Sequence, residues 1–249
     1  MNDSFLQLAL AIVPMVVAIT LHEAAHGYAA LAMGDDTARQ AGRLSLNPVR
    51  HIDPVGTILL PGALVLVQLL FFRGVGFVFG WAKPVPVAAW KFRDPRRGMM
   101  VVAAAGPAMN FFLAWLAALL LPRISLVPGY DFLESMLILH PLWGTLLFYF
   151  LLTNLVLGLF NLLPIPPLDG GRILVGLLPQ PLALSWARLE RAGIIIVLLV
   201  VFLLPRLFQE FGIRFDPFGA VLHTVLPWAM RVTLSLGGHS LGIEHATPF

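Results

Sequence analysis

The sequence contains no cysteine, which excludes a disulfide framework and any thiolate-held metal. It is equally short of charge: Asp, Glu, Lys and Arg make up 12% of the chain, against about 25% in an ordinary soluble domain. The small net charge of +3 is carried by basic residues gathered in loops, which reads as membrane orientation and argues against nucleic-acid binding. The N-terminus has no basic n-region and its first apolar run is too long for a signal-peptide core, so no cleavable signal is expected. No internal repeat is visible, which argues against the repeat architecture common in transporters. What fills the chain instead is apolar: 59% hydrophobic residues and a mean hydropathy of +0.87. That is the composition of an all-α polytopic membrane protein, here expected as one membrane-embedded domain over 1–249.

One stretch stands out against this background. His22-Glu23-Ala24-Ala25-His26 is an HExxH pattern inside the first apolar run. On a helix, positions i and i+4 share a face, so the two imidazoles point the same way. Such a pair can hold one zinc ion, with the neighbouring Glu23 as candidate general base. Across 5–33 there is no Asp, Lys or Arg, and His22, Glu23 and His26 are the only acidic or imidazole side chains. Ionisable groups inside a membrane span are costly and mark function by default.

Taken in order, 5–33 is the first span, long enough to reach about 43 Å, with Pro14 inside it and Gly34 as a C-cap. A basic loop follows with Arg39, Arg43 and Arg50. Its alternating 42–46 segment is a weak strand signal. His51 and Asp53 sit in a proline-bounded loop and read as a structural turn. After the apolar 55–72 stretch, Lys83-Pro84-Val85-Pro86-Val87 is expected to be extended, because each proline biases its predecessor away from helix. Lys91, Arg93, Arg96 and Arg97 complete the most basic loop. Further spans are expected at 99–121 and 142–163, then a proline-broken segment ending in Asp169-Gly170-Gly171, whose glycines leave the backbone free to turn. Additional membrane segments are expected within 186–235. Asn110 and Asn154 read as interhelical contacts, and His140, His223, His239 and His245 have no evident partners.

A catalytic zinc usually takes three protein ligands and keeps one open position. HEAAH supplies two. Asp169 is the best third candidate, because it directly follows a span on broken backbone, and such backbone at membrane depth is tolerated only where it lines a protein interior or a wet cavity.

Three motifs in order then resemble a known family, the site-2 proteases: His22-Glu23-Ala24-Ala25-His26, Ala105-Gly106-Pro107-Ala108-Met109-Asn110, and 161–171, which reads NLLPIPPLDGG. The loops at 47–54 and 80–86 are similar to its compact branch, without PDZ or CBS domains. The resemblance covers about 15–175 and implies an intramembrane zinc metalloprotease with a catalytic core of about 5–175. It implies His22, His26 and Asp169 as ligands of one Zn2+, Glu23 as catalytic carboxylate, and Asn161 as a substrate contact. Its partners would be the lipid bilayer and a membrane-spanning protein substrate. The alternatives are a catalytically silent scaffold that binds membrane helices, and an ion or proton transporter.

The metal also constrains topology. His22 and Asp169 must meet at one depth, while the basic loops at 39–50 and 83–97 both favour the cytoplasmic side; the resemblance to the compact branch implies a bacterial inner membrane. Residues 55–82 are too short for two full spans of about 20 residues each. They are therefore expected to be re-entrant, with short β-strands near 42–46 and 78–87 that could hold an unwound substrate extended.

Overall fold

The computed structural model describes residues 2–72, 82–123, 139, 142–212 and 216–239. Among them the chain is almost wholly helical. Helix α1 (Asn2–Ala32) runs through Pro14 and ends where Gly34 adopts φ 98°, which lets the Asp35 N–H return to Ala30 O at 2.9 Å. After a one-turn helix at Thr37–Gln40, two further turns begin alike. Asn47 caps the tight turn Pro48–His51, and Asp53 caps the wide turn Pro54–Leu59 that opens α2 (Leu60–Phe72). In both, a proline follows the cap, where its missing N–H costs nothing.

Helix α3 (Pro95–Leu120) begins the same way, with the Asp94 carboxylate accepting from the N–H groups of Arg96 and Arg97 at 3.1 Å each. It is the central helix, packed against α1, α4 (Trp143–Asn161) and α5 (Asp169–Leu177). The reason lies in its buried stripe, in which Ala103, Gly106, Ala114, Ala117 and Ala118 are small. In lipid there is no hydrophobic drive between helices, so close backbone approach over small residues carries the association. Leu147, Leu151 and Leu155 of α4 fill the far side of this seam. Helix α3 and α4 are both long and apolar enough to cross a bilayer.

Beyond α4, the segment 162–168 carries three prolines and turns the chain back into α5. Gly170 and Gly171 have helical backbone and not the freely turning one expected, since neither has positive φ. Their role is space. A Cβ on Gly170 would collide with the Leu162 and Leu163 carbonyl oxygens, and one on Gly171 would lie 2.8 Å from Pro166 N. Helix α6 (Gln180–Arg188) follows, then helical runs at 193–210 and 217–236, each with one wide turn. The last run ends in α7 (Leu226–Leu236), whose Ala229 and Leu234 join the α3–α4 core. His239 just beyond it donates through Nε2 to Ala118 O at 2.8 Å, a structural role that its sequence context did not suggest.

The short β-strands expected in the basic loops do not form among the described residues. Residues 42–46 make no ladder, and the bonds around them run largely through side chains; His51 donates to Ser45 O at 2.8 Å. Arg43 donates to Arg50 O and, at 3.1 Å, to Lys83 O, while Arg50 donates to Gly42 O at 3.0 Å. Residues 82–88 form neither helix nor strand, and Lys83 N–H joins them to the loop by a bond to His51 O at 2.9 Å. The re-entrant expectation for 55–82 includes 73–81, which lie outside the described residues, as do 78–81 of the second expected strand.

Candidate metal centre

Helix α1 projects His22 and His26 from one face towards α3. Their rings stand nearly perpendicular, with centroids 4.6 Å apart, and their Nε2 atoms are 3.0 Å apart. Asp169, on the first turn of α5, closes the group. Its Oδ2 lies 3.1 Å from His22 Nε2 and 3.3 Å from His26 Nε2. His22 and Asp169 are buried, each 7% exposed. The three residues named from sequence are thus brought to one point, and Glu23 adjoins them, with a ligand-type atom within 4.8 Å of those of both imidazoles.

Gly106 makes the convergence possible. A Cβ at that position would lie 2.5 Å from Cε1 of both His22 and His26. The glycine of the Gly106-Pro107-Ala108-Met109-Asn110 stretch is therefore the floor on which the imidazoles rest.

The donor chemistry fits a cation. His26 Nδ1 lies 2.7 Å from Val102 O, and a carbonyl oxygen can only accept, so Nδ1 carries the hydrogen. In the neutral imidazole this leaves the Nε2 lone pair aimed at the group. Asp169 Oδ2 is buried and accepts no hydrogen bond. Lone pairs facing one another at such distances repel unless a positive charge lies among them. Neighbouring ligand atoms of a tetrahedral zinc with bonds of about 2.0–2.1 Å stand about 3.3 Å apart, close to the spacing seen.

Glu23, beside this point, is anchored from the loop side. Its Oε2 accepts the Val85 backbone N–H at 3.1 Å. Val85 can approach because Gly27, one residue after His26, has no side chain; a Cβ there would lie 3.1 Å from Val85 Cγ1 and 2.5 Å from Leu44 Cδ2. The same segment is clamped at its end by Asp35, fully buried, whose carboxylate accepts from Ala88 N–H at 2.6 Å and Thr37 N–H at 3.0 Å and pairs with Lys91 at 3.4 Å. Burial pushes the Asp35 carboxyl up, but the bonds from Thr37, Ala88 and Lys91 outweigh it and hold the group below its ordinary range. The Lys91 ammonium is held above its ordinary value, chiefly by its bond to Asp36 at 2.6 Å.

Sequence reasoning missed two residues here. His22 Nδ1 is bonded to Asn110 Oδ1 at 2.5 Å, and Asn110 Nδ2 to Asn154 Oδ1 at 2.9 Å. The interhelical contact expected of these asparagines is present, but it continues to an imidazole. The available signal was spacing: Asn110 is four residues after Gly106 and shares its face. Asn161 donates its amide to Leu157 O of its own helix at 3.0 Å. His51 and Asp53 make the structural turn expected of them: His51 is buried and donates to Ser45 O at 2.8 Å, and Asp53 caps the following turn.

Helices of spanning length gathered around an HExxH pair and a distant aspartate define the class of membrane metallopeptidases. The profile described as peptidase family M50 matches residues 10–205, and the chain belongs to that family. Among its relatives is YwhC of Bacillus subtilis, a protein named as a zinc metalloprotease, at 39% identity over 82% of this chain and 86% of that protein. Rip2 of Mycolicibacterium smegmatis, named likewise, is 32% identical over 85% of this chain and 74% of its own length. No solved structure matches the chain significantly.

Proposed function

We propose that the protein is a zinc endopeptidase that cuts a peptide bond within or near a transmembrane helix of a membrane-protein substrate. The observation that carries this reading is the meeting of His22 Nε2, His26 Nε2 and Asp169 Oδ2, at 3.0, 3.1 and 3.3 Å from one another. His22, His26 and Asp169 hold one Zn2+. When bound, the ion supplies a Lewis acid for the scissile carbonyl and acidifies water towards a pKa of about 7. Glu23 takes the proton of the attacking water and later delivers it to the leaving amine. The burial of His22 and Asp169 limits bulk water at the reacting bond. Asn161 contacts the substrate near the metal.

The whole of 1–249 acts as one membrane-embedded unit with its catalytic core at about 5–175. Residues 55–82 enter the bilayer and return, so that the basic loops at 39–50 and 83–97 share the cytoplasmic side of a bacterial inner membrane. The substrate helix unwinds locally, because helical amides are shielded by their own hydrogen bonds. The test is metal analysis of the purified protein, followed by cleavage of a model spanning substrate by wild type and Glu23→Gln. Stoichiometric zinc with cleavage by wild type alone supports the reading; equal cleavage by both removes Glu23 as the base.

A further inference from the structure

We propose that Asn110 and Asn154 form an amide relay that sets the tautomer and ring orientation of His22, which makes both asparagines positioning residues for the metal centre. The inference rests on the zinc reading of the site.

Both amides are 0% exposed, so each polar atom must be matched within the protein or stay unsatisfied at a cost. The direction of every bond follows from the far end. Phe150 O is a backbone carbonyl and can only accept, so Asn154 donates to it through Nδ2 at 2.8 Å. The end of Asn154 that faces α3 is then its oxygen, which accepts from Asn110 Nδ2 at 2.9 Å. That leaves Asn110 Oδ1 for His22, and the 2.5 Å bond is donated by Nδ1–H of the ring. Reversing either amide would set two donors or two acceptors against each other in a buried place.

With its hydrogen on Nδ1, His22 directs the Nε2 lone pair at His26 Nε2 and Asp169 Oδ2. His26 reaches the same state through a single backbone carbonyl, Val102 O. His22 has no such carbonyl among its described bonds and relies on side chains of α3 and α4. A second layer of this kind both orients a ligand and raises its basicity. The relay also ties α1, α3 and α4 together at the depth of the site, so the orientation of the ring depends on correct docking of all three helices.

The test uses the full chain in detergent or nanodiscs. Zinc Kd is measured by chelator competition for wild type, Asn110→Leu, Asn110→Asp and Asn154→Leu, with dispersity and thermal unfolding as the check on folding. A relay predicts that Asn110→Leu weakens zinc about 10- to 100-fold. Asn154→Leu weakens it less, because Asn110 can still accept from His22 in one amide orientation. Asn110→Asp weakens zinc less than Asn110→Leu, since a carboxylate still accepts from Nδ1–H although its second oxygen then faces Asn154 Oδ1 in place of the lost donor. Simple packing predicts the opposite order, with leucine tolerated and a buried carboxylate not. Retention of wild-type affinity by Asn110→Leu overturns the relay. So does a folded Asn110→Asp that loses zinc as Asn110→Leu does. Nitrogen-15 NMR of His22 in zinc-loaded wild type is independent of any variant: hydrogen on Nδ1 is expected, and hydrogen on Nε2 overturns the proposal. A wild type that binds no zinc overturns both the relay and the zinc reading, whereas a zinc-binding wild type with an indifferent Asn110→Leu overturns the relay alone.

Discussion

The carboxylate of Glu23 accepts a hydrogen bond from the backbone N–H of Val85 at 3.1 Å. Val85 lies between Pro84 and Pro86, neither of which has an N–H to offer, and the prolines bias the residues before them away from helix. The candidate base is thus aimed by a backbone donor. In Glu23→Gln the side-chain oxygen can still accept this bond, so the fold and zinc content should match wild type. Loss of proton transfer should lower cleavage by about 10²- to 10⁴-fold. Metal content and turnover measured on one preparation check both halves.

Gly106→Ala should weaken zinc binding although no ligand residue is replaced. Its new methyl would lie 2.5 Å from Cε1 of both imidazoles, and the α1–α3 packing leaves no simple retreat. The expected result is a folded protein with zinc Kd raised at least about tenfold, by analogy with lost support of metal ligands. Metal analysis after dialysis reads it directly.

Gly170→Ala acts from the other side of the site. The methyl meets the Leu162 and Leu163 carbonyls, so α5 must move away from the end of α4 and take Asp169 with it. Overpacking of this kind costs about 1–3 kcal/mol. A lowered unfolding temperature together with weaker zinc binding is expected; a lower temperature with unchanged zinc affinity would show that Asp169 is positioned independently of its neighbour.

The Asp35 clamp predicts a pH window. The Asp35 carboxyl is held below its ordinary value of 3.8, so its contribution to stability is complete above that value and is lost as pH falls through the lower, folded one. Lys91 is held above 10.5, so its share is complete below that value and is lost as pH rises through the higher one. Between these limits the clamp should be insensitive to pH. Asp35→Ala should cost about 1–3 kcal/mol by leaving the Ala88 N–H unsatisfied, and should flatten the acid limb of a thermal-stability profile.

The membrane class, the facing of His22 and His26 and the absence of helix at 83–87 were legible in the residues, because composition, the 3.6-residue helical period and proline sterics act over a few positions of chain. Helices expected at 99–121 and 142–163 are found at Pro95–Leu120 and Trp143–Asn161, and the earlier start of the first is set by the Asp94 cap rather than by hydropathy. Three things were not legible. The alternation at 42–46 suggested a strand, but a strand needs a partner, and side chains of Arg50 and His51 bond the segment at Gly42 O and Ser45 O. Gly170 and Gly171 suggested a turn, but they serve close approach. Asn110 suggested packing, but its oxygen reaches His22.

Local spacing could present two imidazoles on one face of α1, and it could do no more. The arrival of Asp169 beside them, the bare floor at Gly106 and the bond from Asn110 depend on how closely α1, α3, α4 and α5 pack. That is a property of several segments meeting in three dimensions, to which no single stretch of chain responds.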